Sequence, residues 1–171
     1  GPANVRMTAE IADGWLPTLF IPEKAHQVWG TPLAEGRALR DPSLGPLQVV
    51  AGGPLAIGED AAALRDLVRP RIAIYDGGMG APGKNFYNDL AVAYGYEKEA
   101  RLIQELYLSG RKAEAEAAVP DEFCELMSLC GPEGYVRDRV AAIEEAGVTM
   151  LNVTPVGPDP ARLVETVKNW L

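Results

Sequence analysis

Histidine and cysteine are what this chain has least of: one histidine, His26, and two cysteines, Cys124 and Cys130, among 171 residues. Zinc centres take closely spaced sets of such side chains. A Cys/His zinc site therefore cannot be assembled, and the two cysteines lie too far apart for a CxxC pair. Two free thiols on or near a helix fit a reducing cytoplasm, with a disulfide as the minor alternative. Long apolar runs are missing too. None approaches the ~18 residues of a membrane-spanning helix, so no membrane partner is expected. No basic segment followed by an apolar one marks a secretory leader, an observation without weight if the chain continues upstream of Gly1. Basic clusters are also absent. Formal net charge is −8, and Lys and Arg are scattered among Glu and Asp. A nucleic-acid binder needs a clustered basic surface, so nucleic acid is not an expected partner.

What is present is ordinary globular composition, 47% hydrophobic and 23% charged. That suffices for one sizeable core and one domain over residues 1–171. In "GPANVRMTAEIADG", Val5, Thr8, Ala9 and Ala12 fall on one helical face, with Asn4 as the cap and Asp13-Gly14 as the stop. "WLPTLF" reads as a short strand. "PEKAHQVWGTPLAEGRALR" reads as a helix with a break at Gly30 or Pro32. "LQVVAGGPLAI" is the next strand. "GEDAAALRDLVRPRIAIY" is a helix with Ala63, Leu67 and Ile74 in the core and a kink at Pro70. A Gly-rich loop follows. The stretch from Asp89 to Cys130 reads as helical, with breaks at Gly95, Gly110 and Pro120. Another helix buries Val136, Val140 and Ile143. "VTMLNVTP" reads as a strand buried on both faces, and the last helix points Leu163, Val164, Val167 and Leu171 inward.

Strands separated by helices indicate parallel βα units. Three clear strands make too small a sheet for this many helices, whereas a full (β/α)8 barrel takes ~250 residues. The opening helix also lacks the strand that should precede it. "GPANVRMTAEIADGWLPTLF" and "GPEGYVRDRVAAIEEAGVTMLNVTP" share one plan of Gly-Pro, helix, glycine turn and strand, which is also what any αβ unit looks like.

Three segments could carry chemistry. "GPAN" opens a helix: glycine admits close approach, proline gives up a donor the helix does not need, and the remaining amides attract an anion such as phosphate. Most helix starts bind only water, and Gly-Pro is also a scar that some tag-removing proteases leave. "YDGGMGAPGKNFYNDL" is either a lid or pocket wall, or a helix end and a turn. Lys84 lacks the spacing of a phosphate-binding P-loop. In "VVAGGPLAIGED", Gly52-Gly53 could let a planar ligand lie on the strand or could mark a bulge. His26 could serve in acid–base work, but a lone helical histidine is more often a surface residue. No catalytic set can be assembled.

Taken together, "GPANVRMTAEIADGWLP", "RIAIYDGGMGAPGKNFYNDLAVAYGY" and "EEAGVTMLNVTP", in that order, resemble the C-terminal half of a luciferase-like, coenzyme F420-dependent oxidoreductase of actinobacterial type. The resemblance runs nearly end to end. It implies an α/β fold, the C-terminal half of a (β/α)8 barrel, with a helical insertion at about residues 89–130 between the seventh and eighth strands. "WLPTLF" would be the sixth strand, and the missing fifth would lie just before Gly1. Gly-Pro would then be native.

The resemblance further implies a deazaflavin across the C-terminal mouth, its phosphate held by Gly1, Pro2, Ala3, Asn4 and Val5, with proline contributing shape. Hydride would pass between deazaflavin C5 and a small organic substrate. The half that carries the family's catalytic residues would be absent, so no catalytic residue is assigned. A half-barrel should form a homo-oligomer, bind its N-terminal half, or belong to a longer chain. An FMN-dependent monooxygenase of the same superfamily and a non-catalytic half-barrel module are the alternatives.

Overall fold

A computed structural model describes residues 1–171. The first helix, α1 (Pro2–Ile11), starts earlier than the expected Asn4 cap. Proline at the first helical position is already shaped for the helix. Gly1 therefore becomes the cap, and Asn4 falls inside the first turn. Val5 and Ala9, one turn apart, are the buried residues of α1. Arg40 satisfies carbonyls at its far end, donating from Nη1 to Ala12 (2.7 Å) and Ala9 (3.2 Å). Helix α2 (Pro22–Leu39) lies against α1. It runs through Gly30 and the buried Pro32 without the expected break. Gly36 permits the contact, since a Cβ there would sit 2.2 Å from the Arg6 carbonyl oxygen.

The strands are β1 (Gly14–Trp15), β2 (Gln48–Ile57), β3 (Leu129–Gly131) and β4 (Met150–Pro155). The strand expected over "WLPTLF" stops after Trp15. Pro17 has no amide to donate, and Leu19 turns the chain at φ +56°, a conformation a bulky residue adopts only under constraint. The constraint is visible: the Tyr94 hydroxyl donates to the Leu19 carbonyl at 2.8 Å.

All pairings with β2 are parallel. Leu55 pairs with both Leu129 and Pro155, so β3 and β4 flank opposite edges of β2. The Val49 carbonyl accepts the Thr149 amide. That leaves β1, paired at Gln48 and Val49, on the same edge as β3. Strand β3 lies at the end of the stretch expected to be helical. It follows four short helices: α5 (Phe86–Ala93), α6 (Glu97–Leu108), α7 (Lys112–Ala117) and α8 (Asp121–Leu126). The breaks between them fall at Gly95, Gly110 and Pro120.

The expected helix after β2 divides into α3 (Ala61–Asp66), α4 (Arg69–Ala73) and a π-helical turn over Ile74–Gly78. The break comes at Leu67-Val68, and Pro70 sits harmlessly in the first turn of α4. This shifts the buried face. Val68, Ile72 and Ala73 are in the core, while Leu67 and Ile74 are 55% and 41% exposed. Helices α9 (Glu133–Glu145) and α10 (Pro160–Lys168) complete the chain. Helix α9 buries Val136, Val140 and Ile143 as expected. Beyond α9, Val167 is buried and Leu163 half-buried, whereas Val164 and Leu171 are exposed. The inward stripe of α10 is thus narrower than expected.

Buried apolar residues from Val5 to Val167 form one cluster. Strand β4 departs from the expected burial on both faces. Leu151 and Val153 are half-buried, but Met150, Asn152 and Thr154 are exposed. Register places these three beside Val50, Gly52 and Pro54 of β2. Alternation along a strand puts all six on one face, which α4 borders through Arg71 and Ile72 at the cleft beside Gly52 and Pro54 and which stays open along Met150, Asn152 and Thr154.

Candidate functional site

The N-terminus of α1 opens into two neighbouring clefts. One, of about 230 Å³, is lined by Gly1, Asn4, Thr8, Leu16 and Tyr87 among others. The second, of about 510 Å³, lies between Gly1-Pro2, the Gln27–Trp29 stretch of α2 and Phe86 of α5. The five residues expected to cradle a phosphate do not contribute equally. The Asn4 and Val5 amides both donate to the Gly1 carbonyl, at 3.1 and 3.2 Å. Pro2 has no amide, and Val5 is buried. The Ala3 amide has no preceding helical turn to bond to. It is left facing outward with the exposed Asn4 side chain, whose amide forms no hydrogen bond within the chain. An anion here would meet the dipole of a ten-residue helix with no acidic residue in its first turn. Trp29 holds the aromatic wall. It stacks on Phe20 at 5.6 Å and meets Trp15 and Tyr94 edge-on.

A third cleft, of about 130 Å³, is lined by Thr18, Gly52, Gly53, Arg71, Asn152 and Thr154 among others. It shares the Leu16–Thr18 wall with the 230 Å³ cleft. Strand β2 pairs with β4 without interruption from Val50 to Leu55, so Gly52-Gly53 is not a bulge on that side. Glycine is required there by close approach: a Cβ on Gly52 would lie 2.1 Å from the Asn152 carbonyl oxygen. Asn152 and Thr154 escaped sequence reasoning because "VTMLNVTP" was read as buried on both faces. Its alternation of Met150, Asn152 and Thr154 with Leu151 and Val153 was the available signal. Nothing in the sequence singles out Arg71.

The glycine-rich part of the motif is architectural, whereas its end forms pocket wall. Gly77, in the π-helical turn, packs against Tyr107 and Ile103 of α6, and residues 77–85 line none of these three clefts. Its neighbours tie it down. The Asn85 side chain caps α5 by accepting the Tyr87 amide at 3.0 Å, and its Nδ2 donates to the carbonyls of Tyr75 and Asp76, each at 2.9 Å. Asn88 Nδ2 donates to Asp76 (2.9 Å) and to Ala100 (2.7 Å). Phe86 and Tyr87 do reach the clefts at α1. Asp76 itself is fully buried, and both carboxylate oxygens lack a partner. Burial pushes its carboxyl up to about 8. His26 is exposed on α2. Cys124 and Cys130 are free and buried, and burial pushes the Cys124 thiol up to about 11. No helix is long and apolar enough to cross a membrane.

The parallel sheet and the helices packed on it make this an α/β protein, with clefts at a helix N-terminus and along the central strand. Residues 1–150 match the family described as luciferase-like monooxygenase, and the chain belongs to that family. Over 166 residues it is 37% identical to a Mycobacterium tuberculosis protein named "Putative coenzyme F420-dependent oxidoreductase", covering 95% of this chain and 47% of the relative. It is 28% identical over 169 residues to the 5,10-methylenetetrahydromethanopterin reductase of Methanopyrus kandleri, covering 98% of this chain and 46% of that one. The solved structure of the coenzyme F420 dependent tetrahydromethanopterin reductase of Methanopyrus kandleri superposes with a TM-score of 0.74 at 23% identity, over 100% of this chain and 48% of that chain. The last likeness is one of fold. The chain spans about half the length of the curated relatives it matches.

Proposed function

We propose that this chain forms the C-terminal half of a (β/α)8 barrel that binds coenzyme F420 and works as an oxidoreductase on a small organic molecule. The observation that carries the reading is the open face of β2 and β4. Its exposed Asn152 and Thr154 and half-buried Gly52, polar and small, suit the inner wall of a barrel better than an outer surface. Helices α5 to α8 are the insertion between the last two barrel strands. The open face is covered by the N-terminal half of a barrel, on the same or a separate chain, or by a second copy. The buried free thiols accord with a cytoplasmic setting.

Ala3 and Asn4 hold the cofactor's phosphate, with Gly1 and Pro2 shaping the approach and Val5 anchoring the helix in the core. Coenzyme F420, when bound, supplies hydride chemistry at its deazaflavin ring. The protein's part is to orient the ring in the clefts at α1 and to keep water off it with Trp29, Phe86 and Tyr87. Titration of the purified protein with F420 and with FMN, read by absorbance, tests the cofactor. Saturable binding of F420 over FMN is expected. Preference for FMN would make this a flavin monooxygenase, and binding of neither by folded protein would leave a structural module. Light scattering tests the covered face: a stable monomer of 18.3 kDa would contradict it.

A further inference from the structure

Strand β2 is bordered on one edge by β1 only as far as Val49 and by β3 only from Leu55 onward. No strand pairs with Val50–Pro54 on that edge, and the 130 Å³ cleft opens there, reaching across the face of β2 as far as Asn152 and Thr154 of β4. The Val49 and Leu55 carbonyls are both taken from the β4 side, by the Thr149 and Val156 amides. Alternation therefore turns the Gly52 amide toward the gap. Arg71 of α4 lines the same cleft. Its guanidinium forms no ion pair and no hydrogen bond, and it rests 5.7 Å from the centre of the Tyr75 ring. The ion pairs of this chain engage Arg65, Arg69, Arg101, Arg111, Arg137 and Arg139 instead. The protein carries a formal charge of −8, yet no carboxylate lines this cleft. A solitary cation and a free backbone amide border one small space, with Thr18 beside them in its lining. Such a set recognises an anion.

We propose that Arg71 and the Gly52 amide bind an anionic group of the substrate, a carboxylate or a phosphate, in the gap between β1 and β3. This rests on the oxidoreductase reading and adds the substrate's charge class to it. The aromatic-walled clefts at α1 lie across the Leu16–Thr18 segment, so cofactor and substrate anions occupy separate sides of one wall. Arg71 acts in specificity and takes no part in the chemical step.

The purified protein, in whatever assembly it adopts, is titrated with inorganic phosphate, with succinate and with neutral succinamide, and followed by amide and Arg Nε–H resonances. Saturable shifts at Gly52 and Arg71 with the two anions, and none with succinamide, are expected. Arg71→Gln should weaken anion binding by about tenfold or more, and Arg71→Lys by less. Arg71 is exposed, and an unchanged spectrum outside the cleft confirms that the variants fold. Absence of saturable anion shifts, or shifts indifferent to Arg71→Gln, overturns the proposal. Coenzyme F420 distinguishes the sources of the anion. If Arg71→Gln weakens F420 as much as phosphate, the anion is the cofactor's own and the substrate assignment fails. If F420 does not bind but phosphate binds through Arg71, the cofactor reading fails and the anion site stands.

Discussion

Replacing Asp76 by Asn should stabilise this protein at neutral pH, which is unusual for a change in a fully buried polar residue. Asp76 is enclosed by the π-helical turn, and neither carboxylate oxygen has a partner. Burial holds the carboxyl at about 8 in the folded state, against ~3.9 in an unfolded chain. The folded state therefore keeps a proton that the unfolded state releases. Stability from this group is intact below about pH 4 and falls as pH rises toward 8. The interval from the unfolded value to pH 7 spans about three pH units at ~1.4 kcal/mol each, or about 4 kcal/mol.

Asn has the same shape and carries no charge at any pH, but its new N–H groups lack acceptors, which costs ~1–3 kcal/mol. The net expectation is a gain of roughly 1–3 kcal/mol at pH 7, vanishing or reversing near pH 4. Urea unfolding of both proteins at pH 4.5, 6, 7 and 8.5 measures it. The wild type should lose stability across that range, and the variant should lose less. Parallel pH profiles, or a variant weaker than wild type at pH 8.5, would show that Asp76 is ionised and paired, and would refute the reasoning.

Three further outcomes follow from the packing. Gly52→Ala drives a Cβ into the Asn152 carbonyl and should cost about 1–3 kcal/mol, seen as a fall of several degrees in Tm. Tyr94→Phe strips the Leu19 carbonyl of its donor. It should cost about 1–2 kcal/mol and speed amide hydrogen exchange in residues 16–20. Cys124 and Cys130, buried and with thiols pushed upward, should resist a thiol reagent in the native protein and react only in denaturant. Rapid native labelling would contradict their placement.

The helices were legible in the sequence where their apolar spacing was regular and their ends were marked by Gly or Pro. Helix α9 and the breaks at Gly95, Gly110 and Pro120 are the clearest cases. Parallel pairing was legible in the alternation of strands with helices. The misreadings share a cause, because each depends on a tertiary contact that local pattern does not record. Strand β1 ends where Tyr94, 75 residues away, fixes the turn at Leu19. Strand β3 is only three residues long, lacks an alternating pattern, and is fixed by pairing with the end of β2. The break at Leu67-Val68 comes just ahead of Pro70, where a kink was expected, but the turn it gives the buried face is set by packing. At the site, "GPAN" and Gly52-Gly53 were visible because glycine and proline advertise unusual backbone. Arg71, Asn152 and Thr154 were not, since a residue facing a cleft and one facing solvent look alike in sequence.

The central claim is that the first turn of α1 receives the cofactor's phosphate. Asn4→Asp tests it most directly. The change is nearly isosteric, and a carboxylate in a first turn favours the helix by ~0.3–1 kcal/mol, so weakened binding could not be blamed on unfolding. The account predicts that F420 affinity falls by about tenfold or more in the variant while Tm holds or rises. Undiminished F420 binding by Asn4→Asp would contradict it.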